Sequence, residues 1–375
     1  MTHVLTASST KTCKQCPYKY YLRYVVGLRR DREATPLRFG GNWHRGLELL
    51  GQGCVAADMQ GQLATEYRDR PEYISPEAWE VEYYTVASAL AAYAWYYQND
   101  GLEVVATESE FCLPITNPES GRPSTKWRRA GKIDRRIRMG EHEMIEEHKT
   151  TSEDIAPGSD YWRNLRIDSQ ISMYLSAARE IGHPTSGILY DVFRKPQIRP
   201  KKLSLKDAVG FLTTNLYCGQ TFDVTIQRDE AKKIVGVQVN ACKATLEPLK
   251  AGPTLRETPA MFGARVLQSI TELPDQYFAR QEIARTEADM EAAAFELWAI
   301  MQQINSMSRT GHWYKNETQC VRMGRCEFCD ICFDGVDVTN DVPDGFIRVE
   351  NPHVELSTLK ETNHATNCNA HDSAA

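Results

Sequence analysis

No stretch of this sequence carries the roughly 18 to 20 consecutive apolar residues that a membrane-spanning helix needs. Its opening, MTHVLTASSTKTCKQC, also lacks the charged-then-apolar layout of a secretory leader. The expected location is the cytoplasm, with no membrane partner. There is no GxxxxGKS or GxxxxGKT phosphate loop, so ATP-driven unwinding would have to come from a partner. Positive charge is not in excess either: the net charge is −6. That excludes a chain that coats nucleic acid over its whole surface but not a local basic groove. No internal repeat is visible.

What remains is a globular composition, 42% hydrophobic and 25% charged, in 375 residues. That length suits one large domain or two smaller ones. Basic residues gather at Lys126, Arg128, Arg129, Lys132, Arg135, Arg136 and Arg138, and again at Arg194, Lys195, Arg199, Lys201 and Lys202. Taken alone, each group is more often a solvated face than a DNA contact. Cysteine is plentiful, at eleven residues. In a reducing compartment clustered thiols hold metal or do redox chemistry rather than form stable disulfides. Cys320, Cys326, Cys329 and Cys332 share one short segment, while Cys13 and Cys16 stand far away in the chain. Four thiolates can hold zinc or an iron-sulfur cluster, and counting alone does not fix the ligands.

Periodicity divides the chain. Residues 8–50 read as helix, loop and helix, and Ser75 to Gln98 as a long helix with a serine cap and proline at its first position. Glu103 to Pro114, Trp127 to Met139 and Glu143 to Lys149 read as antiparallel strands, the last two turning at Gly140 and Glu141. Asp160 to Ile181 returns to helical spacing, with Ile167, Ile171, Tyr174 and Leu175 on related faces. Gly187 to Phe193 is a buried strand and Thr286 to Asn305 another helix. Residues 200–275 are expected to form an insertion or helical lobe, and 335–375 a disordered tail.

Chemistry concentrates in Gly131-Lys132-Ile133-Asp134 and in Ile145-Glu146-Glu147-His148-Lys149. On adjacent antiparallel strands Asp134 and Glu147 can hold a divalent metal between hard oxygens. Lys149, two residues on, faces the same side as Glu147. Such a trio suits phosphodiester hydrolysis, the metal activating water and the ammonium handling the anion. Taken alone it equally describes charges on an exposed strand. His44 would complete the metal site if its helix packs beside the hairpin. Gln170 and Tyr174, four apart, share a helix face.

In this order the pieces resemble the RecB-like nucleases of the PD-(D/E)xK superfamily, including the nuclease domain of AddB and CRISPR-associated RecB-type exonucleases. The matching elements are Cys16-Pro17-Tyr18, Phe39-Gly40 with His44, Gly131 to Asp134, Glu147-x-Lys149, Gln170-x-x-x-Tyr174 and the later cysteines. The resemblance implies an α/β, restriction-endonuclease-like domain over residues 1–334, with a central mixed sheet flanked by helices. It implies Mg²⁺ or Mn²⁺ held by His44, Asp134, Glu147 and the His148 main-chain carbonyl, with Lys149 catalytic and Gln170 and Tyr174 positioning DNA. It further implies a 4Fe-4S cluster on Cys16, Cys320, Cys326 and Cys332. Cys329 stands where the family has another residue and is an alternative ligand; a local zinc site on Cys320, Cys326, Cys329 and Cys332 is the competing reading. Glu110 and Lys195 are softer matches. The implied activity is exonucleolytic cutting of single-stranded DNA ends in recombination, repair, CRISPR adaptation or phage DNA metabolism, with a possible helicase partner. A catalytically silent DNA-binding or assembly subunit, or a zinc-stabilised scaffold, is the alternative.

Overall fold

The computed structural model describes residues 2–183, 185, 187–247, 254–322, 324–353 and 356. Its main sheet has six strands: β1 (His3–Leu5), β2 (Glu103–Thr116), β3 (Pro123–Met139), β4 (His142–Thr151), β5 (Gly187–Arg194) and β6 (Phe278–Ala284). The long β3 organises the others. Along one edge it pairs antiparallel with β2, from Glu103 opposite Arg138 to Thr116 opposite Pro123. Along the other edge it takes two partners in turn: β1, parallel, at Trp127 to Arg129, and β4, antiparallel, from Arg135 to Met139. β5 runs parallel to β4, and β6 antiparallel to β5. The sheet is therefore mixed and the fold α/β, as expected from the sequence.

Alternation along β5 shows how the layers form. Ile188, Tyr190 and Val192 join Ile145, Phe111 and the helix Ser169–Glu180 in one core. Phe193 joins the helices Thr35–Gly51, Ala56–Glu66, Pro76–Tyr96 and Pro259–Glu272 in a second core on the other side. Period two in the strand puts neighbouring residues into opposite layers. Trp43 stacks on Phe193 with ring centroids 4.3 Å apart. Burying each such side chain stabilises the fold by about 1.5 to 3 kcal/mol, and this contact docks the helix that carries His44.

The Ser75 hydroxyl caps Pro76–Tyr96, and Thr286 with Asp289 forms a capping box for Glu287–Thr310. The hairpin turns at Gly140, whose φ of 63° suits glycine. The expected single helix over 160–181 is two, Asp160–Leu165 and Ser169–Glu180. Asp168 accepts a hydrogen bond from the Gln170 N–H, and this cap starts a new helix despite the continuous apolar spacing. Ile167 consequently leaves the core and is exposed. No helix among the described residues is long and apolar enough to cross a membrane.

Two segments differ from expectation. Within 200–275, the helices Leu205–Thr214 and Pro259–Glu272 flank an antiparallel sheet of Val224–Arg228, Ile234–Val239 and Cys242–Lys243, with a core around Phe211, Phe222, Val237 and Met261. The helical alternative for this segment therefore gives way to a mixed insertion, whose strands are too short to show a clear period in the sequence. Beyond Gly335 the chain is not structureless: Phe346–Arg348 pairs antiparallel with Leu28–Arg30. Val338 and Phe346 pack with Leu22, Leu28, Phe328 and Ile331. Residues 357–375 lie outside the described residues.

Close packing between β3 and the Ser169–Glu180 helix depends on Gly131, where an added Cβ would lie 2.8 Å from both Phe111 and Tyr174 ring carbons. Gly131→Ala is expected to destabilise the protein by about 1 to 3 kcal/mol, as overpacked cores do. A denaturant titration of both proteins measures it.

Candidate active site

The β3–β4 ladder ends at the Arg135–Glu146 pair. Past that point β3 and β4 part, and backbone groups that would have paired must find other partners. The His148 N–H donates instead to the Asp134 carboxylate, at 2.9 Å. Since N–H and C=O of one strand residue point to the same side, the His148 carbonyl is directed into the same gap.

Side chains from three elements converge there. His44, from the helix Thr35–Gly51, brings Nδ1 to 3.5 Å from Asp134 Oδ2. On β4, Lys149 donates to Glu147 Oε1. Gln170 Nε2 donates to the same oxygen at 2.6 Å. Tyr174, one turn further on, donates to the Lys132 carbonyl at 3.0 Å, so it supports β3 beside Asp134. Of the residues singled out from sequence, the structure brings together His44, Asp134, Glu147, Lys149, Gln170 and Tyr174.

The His148 side chain lies elsewhere, 2% exposed on the opposite side of β4. Glu110 sits opposite Lys132 in the β2–β3 ladder, and the Lys195 ammonium lies 5.6 Å from the centre of the Phe39 ring. Most of the basic cluster around β3 is neutralised, Arg129 by Glu180, Lys132 by Glu108, Arg135 by Glu146 and Arg138 by Glu103 and Glu143.

Glu108 was not anticipated. It lies across β3 from Asp134, between the Thr107–Arg135 and Ser109–Ile133 pairs, with φ at 52°. A left-handed conformation is costly for a glutamate, and sequence offers no signal for it.

Burial sets the site's electrostatics. It raises Asp134 to about 6, against the opposing Lys149 charge. It raises Glu147 to about 7, helped by the neighbouring Asp134 charge and opposed by Lys149. Burial works against the Lys149 charge too, but Glu147 and Asp134 beside it hold the ammonium above its ordinary range. His44 is lowered to about 4, first by burial and then by Lys149, so it is neutral at physiological pH. The sequence profile of the PD-(D/E)XK nuclease superfamily matches residues 4–333.

The chain belongs to the PD-(D/E)XK nuclease superfamily.

Among curated proteins, none matches the sequence closely enough to count as a relative. Membership supports a metal-dependent nuclease acting on DNA, and the donor set allows a direct test of fit. Lys149 and Gln170 both engage Glu147 Oε1, leaving the buried Oε2 without a hydrogen-bond partner. A buried carboxylate oxygen left unpaired is costly. With Asp134 and a neutral His44 beside it, the set fits a divalent ion of the Mg²⁺ or Mn²⁺ kind.

Among the described residues, the trio whose ligand atoms all lie within 4.8 Å of one another is a different one, Glu146, His148 and Asp191, in which Glu146 Oε1 and both His148 ring nitrogens are likewise buried without a hydrogen-bond partner. It lies on the other side of β4, and its charges are already balanced. Arg280 is 3.0 Å from Asp191 and 3.3 Å from Glu146, and Arg135 is 3.3 Å from Glu146. A divalent ion would add charge to this buried, compensated set at a cost of several kcal/mol. These two guanidiniums weigh against a cation at the trio, which lies on the far side of β4 from Glu147.

The cysteines come together from both ends of the sequence. Cys16 precedes the short helix Pro17–Tyr20, and its Sγ accepts from the Asn316 N–H at 3.4 Å. Burial raises Cys332 to about 11, with contributions from Cys326, Cys16 and Cys320. The Cys329 thiol donates to the Cys320 carbonyl at 3.2 Å and is 1% exposed. Cys13 is buried in a separate core with Tyr20 and Trp127.

Metal binding requires ionised Asp134 and Glu147, both raised toward neutrality, while His44 stays neutral throughout. The melting-temperature rise produced by Mn²⁺ is therefore expected to be small at about pH 5.5, where protons compete, and to grow toward about pH 8. Thermal melts with and without Mn²⁺ across that range measure it.

Proposed function

We propose that this nuclease is a Mg²⁺- or Mn²⁺-dependent deoxyribonuclease that degrades DNA from a free, single-stranded end. Asp134, Glu147, His44 and the His148 carbonyl are the metal ligands, and Lys149 is the catalytic lysine. The observation that carries this reading is the unpaired Glu147 Oε2, buried beside Asp134 while its sister oxygen is held by Lys149 and Gln170.

A divalent ion bound there lowers the pKa of a water and offsets charge growing on the phosphate. The protein's own groups do the rest. Lys149, charged and 32% exposed, faces the substrate side and orients the attacking water or a phosphate oxygen. Gln170 fixes the Glu147 carboxylate, and Tyr174 fixes the backbone next to Asp134. His44, neutral, supplies a lone pair rather than a competing charge. The preference for ends rests on the RecB-like resemblance, as do a role in recombination, repair, CRISPR adaptation or phage DNA metabolism and a helicase partner. The intact Asp134, Glu147 and Lys149 argue against a silent assembly subunit.

Cys16, Cys320, Cys326 and Cys332 are proposed to hold a 4Fe-4S cluster. The support is that Cys16, Cys320 and Cys326 all act on Cys332; Cys329, which neighbours Cys320 and Cys326, is the alternative ligand. Lys19 and Lys315 act on Cys326 and Cys332 respectively, and their positive charge suits an anionic cluster. The cluster would be structural, fastening the early helices to the later segment.

With Mn²⁺, Asp134→Ala and Lys149→Ala are each expected to lower cutting of labelled single-stranded DNA by about 100-fold or more. A wild type that cuts no better than these variants would end the enzyme reading. Anaerobically purified protein should be brown, with broad absorbance near about 400 nm. Cys16→Ser or Cys332→Ser should bleach it, and Cys329→Ser should not. A colourless protein carrying one zinc would instead establish the zinc alternative.

A further inference from the structure

Ile167 is the most exposed large hydrophobic residue among those described, at 84%. It projects from the turn between Asp160–Leu165 and Ser169–Glu180, and that turn is held firmly. The Arg285 guanidinium donates to the carbonyls of Leu165 at 2.9 Å and Asp168 at 3.1 Å, and to the Ser172 hydroxyl at 3.2 Å. Asp168 in turn caps the Gln170 N–H at 2.8 Å. A loose turn could fold its apolar side chain back onto the protein, whereas this braced one keeps it in water. A lone exposed apolar side chain is ordinary on a protein surface; the surroundings of Ile167 are what give it a ligand.

The position identifies that ligand. Asp168, the residue after Ile167, acts on the Lys149 charge, and Gln170 two further on holds Glu147 at the proposed cutting site, so the turn that carries Ile167 adjoins that site. Ile167 also borders a shallow depression of about 560 Å³ lined by Asp160, Arg163, Asn164 and Arg166. Arg163 is paired with Asp160 at 3.2 Å. Arg166 makes no ion pair among the described residues. A protein seated here would obstruct the cutting site, whereas the substrate must pass it. The chemistry of the depression fits a nucleotide: an apolar side chain for the face of a base, an amide for its edge and a guanidinium for a phosphate.

Building on the proposed nuclease reading, we propose that Ile167 packs against a base of the bound DNA strand next to the phosphate to be cut, with Asn164 at the base edge and Arg166 on a flanking phosphate. The contact is sequence-tolerant, since every base offers a flat apolar face. It sets how far the strand advances past Gln170 before cutting.

The test uses the full chain carrying Asp134→Asn and single-stranded oligonucleotides with 2-aminopurine at successive positions from the free end. One position near the end should change fluorescence on binding. Adding Ile167→Ser should abolish that response and weaken binding by about fivefold to tenfold, while Ile167→Leu retains both. Because the side chain is exposed, Ile167→Ser should melt like its parent, which separates lost contact from lost folding. Unchanged affinity and fluorescence in Ile167→Ser would overturn the inference. A wild type that cuts DNA together with an indifferent Ile167→Ser removes this inference alone; a wild type that neither binds nor cuts DNA removes the nuclease reading as well.

Discussion

The structure turns on a ladder that stops early. Where β3 and β4 part after the Arg135–Glu146 pair, the His148 N–H loses its strand partner and the Asp134 carboxylate takes the place of a carbonyl. One hydrogen bond thus satisfies the backbone and fixes an acidic side chain in an opened gap. A carboxylate so held has little freedom left to lose when it binds an ion, which is the advantage of a preorganised site.

β4 separates two kinds of buried charge. Toward the Ser169–Glu180 helix, burial raises Glu147 and Asp134 toward neutrality beside the Lys149 ammonium, with Lys132, paired to Glu108, a weaker influence on Asp134. Toward the helices behind, Glu146, Asp191 and His148 meet two guanidiniums and the Tyr93 hydroxyl; burial raises Glu146 as well, to about 7, while His148, Arg280 and Tyr93 hold the Asp191 carboxyl below its ordinary value against the pull of burial. The compensated side gives rigidity. The uncompensated side has capacity for a cation. Alternation along a single strand is enough to assign adjacent glutamates to these different duties.

Local rules made part of this legible in the sequence. Strand period places Glu147 and Lys149 together, Gly140 marks the hairpin, and Ser75 before Pro76 marks the long helix. Helical spacing correctly joined Gln170 to Tyr174, but it carried Ile167 into the same helix, because apolar period cannot register that Asp168 competes as a cap. His44 reaches Asp134 only through the docking of its helix by Trp43 on Phe193, a contact between residues far apart in sequence. β1 is three residues long, too short to carry a period, and β6 and the lobe strands went unread as well. Glu108 is invisible for another reason: nothing about a glutamate between Thr107 and Ser109 announces a left-handed backbone.

The clasp between Leu28–Arg30 and Phe346–Arg348 has a consequence in time. A ribosome delivers the first of these strands more than three hundred residues before its partner, and Cys16 is made equally early relative to Cys332. All six strands of the main sheet are synthesised before Cys320, so the nuclease half can assemble while the cysteine region still waits. During that interval Leu22, Leu28 and the Cys16 thiol lack their late-made neighbours. Newly made chains therefore pass through a stage in which this edge is exposed, and it closes only after Phe346–Arg348 has been made.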